Sequence, residues 1–224
     1  KTAMMRADCL VEGNVFSQCD GETECISNKS SGNIYRRNAF MGTQGTLTLR
    51  HGNDCLVEGN VFLGGGESGT GGIRVIGQGH RIVGNAFFSL GGDVFRSAIC
   101  LVNGIPDSPD NGYHQVVDVE IWNNIIVDCK EAILIGHNDV QEATLAPRGL
   151  RFEGNQVIAP KERPAVRVES VPADVVWKGN RIVGGLVGIE EVEGMRGAKL
   201  GPPVLPWIPN SDDAGARWDW LKNP

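Results

Sequence analysis

The sequence predicts an all-β solenoid, a right-handed single-stranded parallel β-helix, on the basis of three features. First, the nine residues DCLVEGNVF occur twice, at 8–16 and at 54–62, and a looser copy, SGNIYRRNAF, occupies 31–40. Second, an asparagine recurs before an apolar segment at intervals of 24, 22, 25, 39, 31 and 25 residues. Third, glycine precedes that asparagine in five of the seven copies. A period in the low twenties with occasional insertions is typical of stacked coils.

Short strands are predicted on both sides of the repeated asparagine. The position three residues before it and the position two residues after it are apolar in every copy, whereas the position two residues before it is mostly polar. This alternation has a period of two, as in a β-strand with one buried face. The seven asparagines are Asn14, Asn38, Asn60, Asn85, Asn124, Asn155 and Asn180.

The residue before each asparagine forms a bend. Glycine is favoured there because it adopts backbone angles that other residues avoid. An interior asparagine can hydrogen-bond to its equivalent in the next coil and to backbone groups of the turn. The repeat therefore predicts an asparagine ladder along one corner of the β-helix.

A third strand in each coil is predicted between consecutive asparagine turns, in segments such as CDGETECISNKSSGN and GTLTLRHGN. Alternation directs Thr23, Cys25, Leu47, Leu49, Ile73 and Val75 inward. The outward face then carries Glu22 and Glu24, followed by Arg50 and Arg74, with Lys29 at its edge. Compensating ion pairs on a solvated face would explain these charges. Two carboxylates so close together also suit a hard cation such as calcium.

Composition fits one β-helix domain over residues 1–185. The chain has 224 residues with 31 glycines, and we expect residues 186–224 to form an irregular tail packed on the last coil. Because the first coil begins within ten residues of Lys1, we expect further coils before it. The formal net charge of −6 argues against a nucleic-acid partner, and no apolar run is long enough to suggest a membrane span.

Three strings of residues resemble polysaccharide lyase family 6, which contains alginate lyases and chondroitinase B. They are GETECISNKSSGN, GTLTLRHGNDCLVEGNVFLGGG and TGGIRVIGQGH, and the likeness extends more weakly to about residue 185. The resemblance implies a parallel β-helix. It also implies cleavage of uronic-acid polymers by β-elimination, with Lys29 as the general base and Arg50 as the acid.

The resemblance further implies a calcium site and a substrate site. Glu22 and Glu24 correspond to calcium ligands, and the asparagine that completes the family's site would lie before Lys1. Arg74 and His51 correspond to substrate-binding residues. Because a guanidinium hardly releases a proton near neutrality, we expect Arg50 to stabilise developing charge rather than to act as the acid.

Three functions remain open from the sequence. An alginate lyase acting on poly-mannuronate comes first, a dermatan sulfate lyase is the alternative with the same chemistry, and a non-catalytic carbohydrate-binding β-helix is the third. The expected partner is an acidic polysaccharide. The resemblance also implies a secreted or periplasmic protein, although no signal peptide is present in the chain. The oligomeric state and the preferred uronate stay open.

Overall fold

The computed structural model describes residues 4–183 and the backbone of the strand Met195–Gly197. The rest of the predicted tail, 186–224, lies outside the described residues. Within the described part, short parallel strands stack into three sheets, which confirms the predicted parallel β-helix. The helical content there is one 3₁₀ turn, Val94–Arg96.

The strands are short, from three to seven residues each. In chain order the first ten are β1 (Leu10–Glu12), β2 (Val15–Ser17), β3 (Glu24–Lys29), β4 (Ile34–Arg36), β5 (Ala39–Met41), β6 (Gly45–His51), β7 (Leu56–Glu58), β8 (Val61–Leu63), β9 (Thr70–Val75) and β10 (Arg81–Val83). The next eleven are β11 (Ala86–Phe88), β12 (Ile99–Val102), β13 (Glu120–Trp122), β14 (Ile125–Val127), β15 (Ile133–His137), β16 (Arg148–Glu153), β17 (Gln156–Ile158), β18 (Val166–Val168), β19 (Ala173–Lys178), β20 (Asn180–Val183) and β21 (Met195–Gly197).

Each complete coil contributes one strand to each of three sheets. Sheet 1 has the order β1-β4-β7-β10-β13-β16-β19, and sheet 2 has the order β2-β5-β8-β11-β14-β17-β20-β21. Sheet 3 has the order β3-β6-β9-β12-β15-β18. Since strands of consecutive coils are hydrogen-bonded neighbours, residues at equivalent positions of successive coils form columns along the stack.

The corner between sheets 1 and 2 contains the predicted asparagine ladder. The residue before each asparagine has a positive φ, between 53° and 67°, which explains the preference for glycine. The side-chain amide of Asn60, for example, donates to Asn85 Oδ1 at 2.9 Å and to the Tyr35 carbonyl at 2.9 Å. Equivalent amide-to-amide bonds link all seven asparagines, from Asn14 to Asn180.

The core lies inside the coils and repeats in the same way. The rings of Phe16, Phe40, Phe62 and Phe87 stack with centroid separations of 4.8, 4.5 and 4.8 Å. These separations match the spacing of neighbouring β-strands, about 4.7–4.9 Å, so each ring packs on the ring of the next coil. The two apolar columns predicted beside the asparagine are thus confirmed as core positions.

Sheet 3 departs from this regularity at its first strands. The pairing of β3 with β6 shifts register between Glu24 and Ile26 and again between Asn28 and Lys29. As a result Ile26, rather than Cys25, pairs with Leu47, and Thr23 is exposed. The prediction that Thr23 faces inward was therefore wrong, because simple alternation cannot anticipate a β-bulge.

Candidate active site

The predicted site residues lie on the outer face of sheet 3, in three consecutive coils. Lys29 ends β3 and pairs with His51 at the end of β6. Arg50 is the extra residue of β6 at the second register shift, and Arg74 lies in β9, beside Thr48 of β6. The coil stacking therefore places Lys29, the Arg50–His51 pair and Arg74 on successive rungs.

Arg50 stacks on an aromatic ring that comes from a loop. Its guanidinium carbon lies 4.1 Å from the ring centroid of Tyr113, within cation–π range. Tyr113 belongs to the insertion between β12 and β13, which covers sheet 3 from outside. Arg50 Nη1 is buried and has no hydrogen-bond partner within the described residues. This buried cationic N–H group can serve an anionic ligand.

Arg74 lies at the centre of a network of ion pairs. The residue is 5% exposed, and its Nη1 lies 3.6 Å from Glu24 Oε1. Its Nη2 contacts the carboxylate of Asp139 and donates to the Tyr113 hydroxyl at 3.0 Å. The resemblance implies that Arg74 binds substrate, but in this structure its guanidinium is held by two carboxylates of the chain itself.

His51 is buried beside the cationic groups. Burial, followed by the positive charges of Arg50 and Lys29, lowers the pKa of His51 below its usual value. The ring is therefore neutral at neutral pH. Its Nδ1 is buried and has no hydrogen-bond partner in the described part of the chain.

The two carboxylates assigned to calcium lie apart from any larger group of ligands. Glu22 is exposed in the turn before β3, and Glu24 faces Arg74. Among the described residues, no group of three or more His, Cys, Asp or Glu side chains could hold a metal ion. Carboxylate oxygens suit calcium by type, but calcium takes six to eight oxygen ligands. Glu22 and Glu24 alone do not form a complete site.

Asp139 is a polar residue at the site that the sequence did not single out. It follows β15 and accepts a hydrogen bond from the Tyr113 hydroxyl at 2.8 Å. His137 lies behind it, with Nε2 3.7 Å from Asp139 Oδ1 and Nδ1 2.8 Å from Glu169 Oε2. Asp139 and Tyr113 both lie in loops that interrupt the repeat, and so repeat analysis gives no signal for their roles.

A cavity of about 340 Å³ adjoins the site at the corner that leads from sheet 3 to sheet 1. Polar side chains from several coils line it, among them Asn53, Gln78, His114 and Arg148. His114 also contributes to the low pKa of His51, so the cavity lies next to the cationic cluster. The cavity offers hydrogen-bonding groups beside the groove.

Comparison with known proteins identifies the family. The sequence profile of the Chondroitinase B family matches residues 1–160 of the chain. The chain belongs to polysaccharide lyase family 6. Comparison with curated proteins gave no match. Within the described residues, no helix is long and apolar enough to cross a membrane.

Solved structures of polysaccharide lyase family 6 share the fold. The alginate lyase AlyGC is 30% identical over 97% of this chain and 32% of its own, with a TM-score of 0.87. A mannuronic acid specific family 6 lyase from human gut microbiota is 24% identical, covering 89% of this chain and 46% of its own, with a TM-score of 0.68. An alginate lyase in complex with a trisaccharide is 21% identical over 91% of this chain and 48% of its own, with a TM-score of 0.73. The chain thus spans about a third of the length of AlyGC.

Proposed function

We propose that this chain carries the catalytic groove of a polysaccharide lyase that cleaves uronic-acid polymers by β-elimination. One observation supports this most directly: Lys29, Arg50 with His51, and Arg74 lie on three successive rungs of one outer face. Of these residues, Lys29 and Arg50 bring positive charge to one face of a chain with a net charge of −6, and this charge suits a polyanion that lies across the coils. Family membership is consistent with the same chemistry.

Lys29 is proposed as the general base. β-Elimination removes the proton from the sugar carbon next to the carboxylate, and the 4-linked oxygen then leaves to give an unsaturated sugar end. A lysine base accepts that proton on its side-chain amine. The register pairs Lys29 with His51 and so brings it next to Arg50.

Arg50 is proposed to stabilise negative charge that develops on the substrate. Its guanidinium supplies a positive charge in a planar group that can bind an oxyanion at two points. Stacking on Tyr113 holds its orientation, and the buried Nη1 has no partner within the described residues. Water, or the proton taken up by Lys29, would then protonate the leaving oxygen.

Alginate is the proposed substrate. AlyGC, an alginate lyase, is the 30% identical structure that covers 97% of this chain. Dermatan sulfate is the second candidate, favoured by the matching Chondroitinase B profile. Both polymers carry the uronate carboxylate that the elimination requires.

Calcium binding and export are also proposed. Calcium held partly by Glu22 and Glu24 would neutralise the uronate carboxylate when bound, with its other ligands supplied from outside the described residues or by water. A lyase that acts on long polysaccharides would have to meet them outside the cytoplasm, so we propose a secreted or periplasmic location.

The test is an elimination assay on the chain and on a longer protein that contains it. Poly-mannuronate, poly-guluronate and dermatan sulfate are each supplied, with and without a calcium chelator, and ultraviolet absorbance of the unsaturated ends is followed. We expect absorbance to rise with an alginate block and to fall when the chelator is added. Binding of these polymers without any rise in absorbance, in both proteins, would leave the non-catalytic carbohydrate-binding function.

A further inference from the structure

The loop side chains around Arg74 form a closed arrangement of three groups. Tyr113 Oη donates to Asp139 Oδ2 at 2.8 Å and accepts a hydrogen bond from Arg74 Nη2 at 3.0 Å. The same Arg74 nitrogen also contacts Asp139. The Tyr113 hydroxyl can both donate and accept a hydrogen bond, and it does both in these contacts. The direction of the Tyr113 ring is therefore fixed from its hydroxyl end.

The other end of Tyr113 is fixed by packing. Its ring packs against an apolar cluster on the outer face of sheet 3, formed by Ile76, Cys100, Val102 and Leu134. The Tyr113 carbonyl accepts a hydrogen bond from the Ile105 amide at 2.8 Å, which closes the base of the loop. A ring held in this way presents its face to Arg50 at 4.1 Å.

Charge is distributed unequally between the two arginines that contact Tyr113. Arg74 has two carboxylate partners, Glu24 and Asp139. Arg50, by contrast, forms no ion pair within the described residues and keeps a buried N–H group unpartnered. The contact with Asp139 thus helps to neutralise Arg74, while Arg50 keeps its full positive charge for an anionic ligand.

Asp139 is itself held by the strands beneath it. Its side chain is 17% exposed, and His137 Nε2 lies 3.7 Å from its other oxygen. His137 in turn contacts Glu169, and Glu169 pairs with Arg167 at 2.5 Å. Burial opposes ionisation of Glu169, but the hydrogen bond from His137 and the charge of Arg167 lower its pKa overall. The position of Asp139 is therefore set by strands β15 and β18 rather than by its own loop alone.

We propose that Asp139 is a positioning residue, which fixes Tyr113 between Arg74 and Arg50 and so directs the Arg50 guanidinium toward the substrate. This inference rests on the proposed function for its catalytic consequence, although the positioning itself does not. Asp139 acts through Tyr113 and need not touch the substrate. Its loss therefore affects turnover more than substrate binding.

The test uses Asp139→Asn in the full chain. Asparagine keeps the size of the side chain but brings an amide N–H group or a neutral oxygen toward Arg74, so the arrangement of three groups opens. The chain contains two tyrosines, Tyr35 and Tyr113, and carbon-13 labelling of tyrosine gives a spectrum in which each ring can be assigned. We expect the Tyr113 ring signals to shift or broaden and those of the buried Tyr35 to stay unchanged.

Asp93→Asn is the matched control, because Asp93 forms an exposed ion pair with Lys130 at 2.6 Å that includes neither Tyr113 nor Arg74. It should leave both tyrosine spectra and turnover unchanged. Unchanged Tyr113 signals in Asp139→Asn would overturn the proposal. Should Asp139→Asn fail to fold, Asp139→Glu keeps the charge but moves the carboxylate, and the same Tyr113 signals must then change for the proposal to stand.

Kinetics separate positioning from a merely structural role. Asp139→Asn and Tyr113→Phe should each lower kcat about tenfold relative to the wild type, with little change in KM. The double variant should also show about a tenfold loss relative to the wild type, because both substitutions break the same contact. A hundredfold loss in the double variant would mean independent effects and would contradict the proposal. A wild-type chain without turnover on any polymer would count against the proposed function, whereas the tyrosine spectra alone decide the positioning.

Discussion

The asparagine corner and the outer face of sheet 3 are built from the same coils, but the corner repeats one residue type whereas the outer face varies from coil to coil. At the corner, seven coils place the same residue type at the same position, and each interior side chain is hydrogen-bonded to its equivalents above and below and to a backbone carbonyl. On the outer face, each rung carries different residues, the register of β3 with β6 shifts twice, and loops cover the strands.

The difference lies in which polar groups are satisfied. Each interior ladder asparagine is buried and fully bonded, as at Asn85, which both donates to and accepts from its neighbours. The outer face keeps buried nitrogens of Arg50, His51 and Arg74 without partners in the described part of the chain. Unpaired buried polar groups reduce stability, so this face lacks the internal hydrogen bonding that stabilises the asparagine corner.

Lys29→Ala tests the outer face with the largest expected effect. Loss of the proposed general base should lower turnover at least about 1,000-fold, while the melting temperature stays within a few degrees because Lys29 is exposed. The rate of unsaturated product formation is the measurement. Lys130→Ala removes another exposed lysine from a surface ion pair and should keep full activity. Turnover retained by Lys29→Ala would remove it from the mechanism.

Asn85→Ala tests the corner. The change removes the acceptor for the Asn60 backbone and side-chain N–H groups and the donor to the Val57 carbonyl, all inside the protein. Unsatisfied buried groups cost about 1–3 kcal/mol each, so we expect roughly 4 kcal/mol of lost stability by denaturant unfolding. Asn14→Ala, at an exposed position of the same ladder, should cost only about 1 kcal/mol. Equal losses of stability in the two variants would contradict the view that hydrogen bonds of the buried asparagines stabilise the corner.

His80 extends the comparison to the corner between sheets 3 and 1. It is fully buried, its Nδ1 accepts from the Cys55 amide at 3.2 Å, and its Nε2 contacts the Ile76 carbonyl at 3.0 Å. Burial lowers the pKa of His80 to about 4. In the unfolded chain histidine takes up its proton near pH 6.5, so between these values the unfolded state binds more protons.

The contribution of His80 to the free energy of unfolding is complete above about pH 6.5. It is lost as pH falls toward 4, and the loss is on the order of 3 kcal/mol. The lowered pKa of His51 acts in the same direction. Denaturant unfolding at several pH values measures the slope of the free energy of unfolding against pH. His80→Asn should reduce this pH dependence and keep the turn. Asn33 lies at the position equivalent to His80 two coils earlier, where its side-chain oxygen accepts a hydrogen bond from the Cys9 amide at 2.9 Å. An unchanged slope in this variant would assign the pH dependence to other groups.

Arg50→Lys has the smallest expected effect of the four. Lysine keeps the charge but loses the planar guanidinium that stacks on Tyr113, so kcat should fall about tenfold. The measurement is again formation of the unsaturated product, with an unfolding curve as the check on stability. Near-complete activity would show that a positive charge alone is sufficient at this position.

Sequence alone predicts the repeated part of the molecule. The ladder from Asn14 to Asn180 was predicted because one residue type recurs at one position, and the apolar column that contains the stacked phenylalanines was predicted because its position is apolar in every copy. The inward orientation of Thr23 was wrong because a register shift leaves no trace in alternation. The roles of Asp139 and Tyr113 could not be predicted, since both lie in loops whose contacts are set by tertiary packing. The catalytic and calcium assignments remain predictions.

The phenylalanine stack implies that equivalent residues along this molecule are separated by whole multiples of one coil spacing. Each ring lies one coil above the last, at 4.5 to 4.8 Å, and every side chain on the outer face moves with its coil. Inserting or deleting a complete coil would therefore displace the residues beyond it by one whole step and leave the spacing on either side intact. Such a fold can change the reach of its groove only in units of a coil.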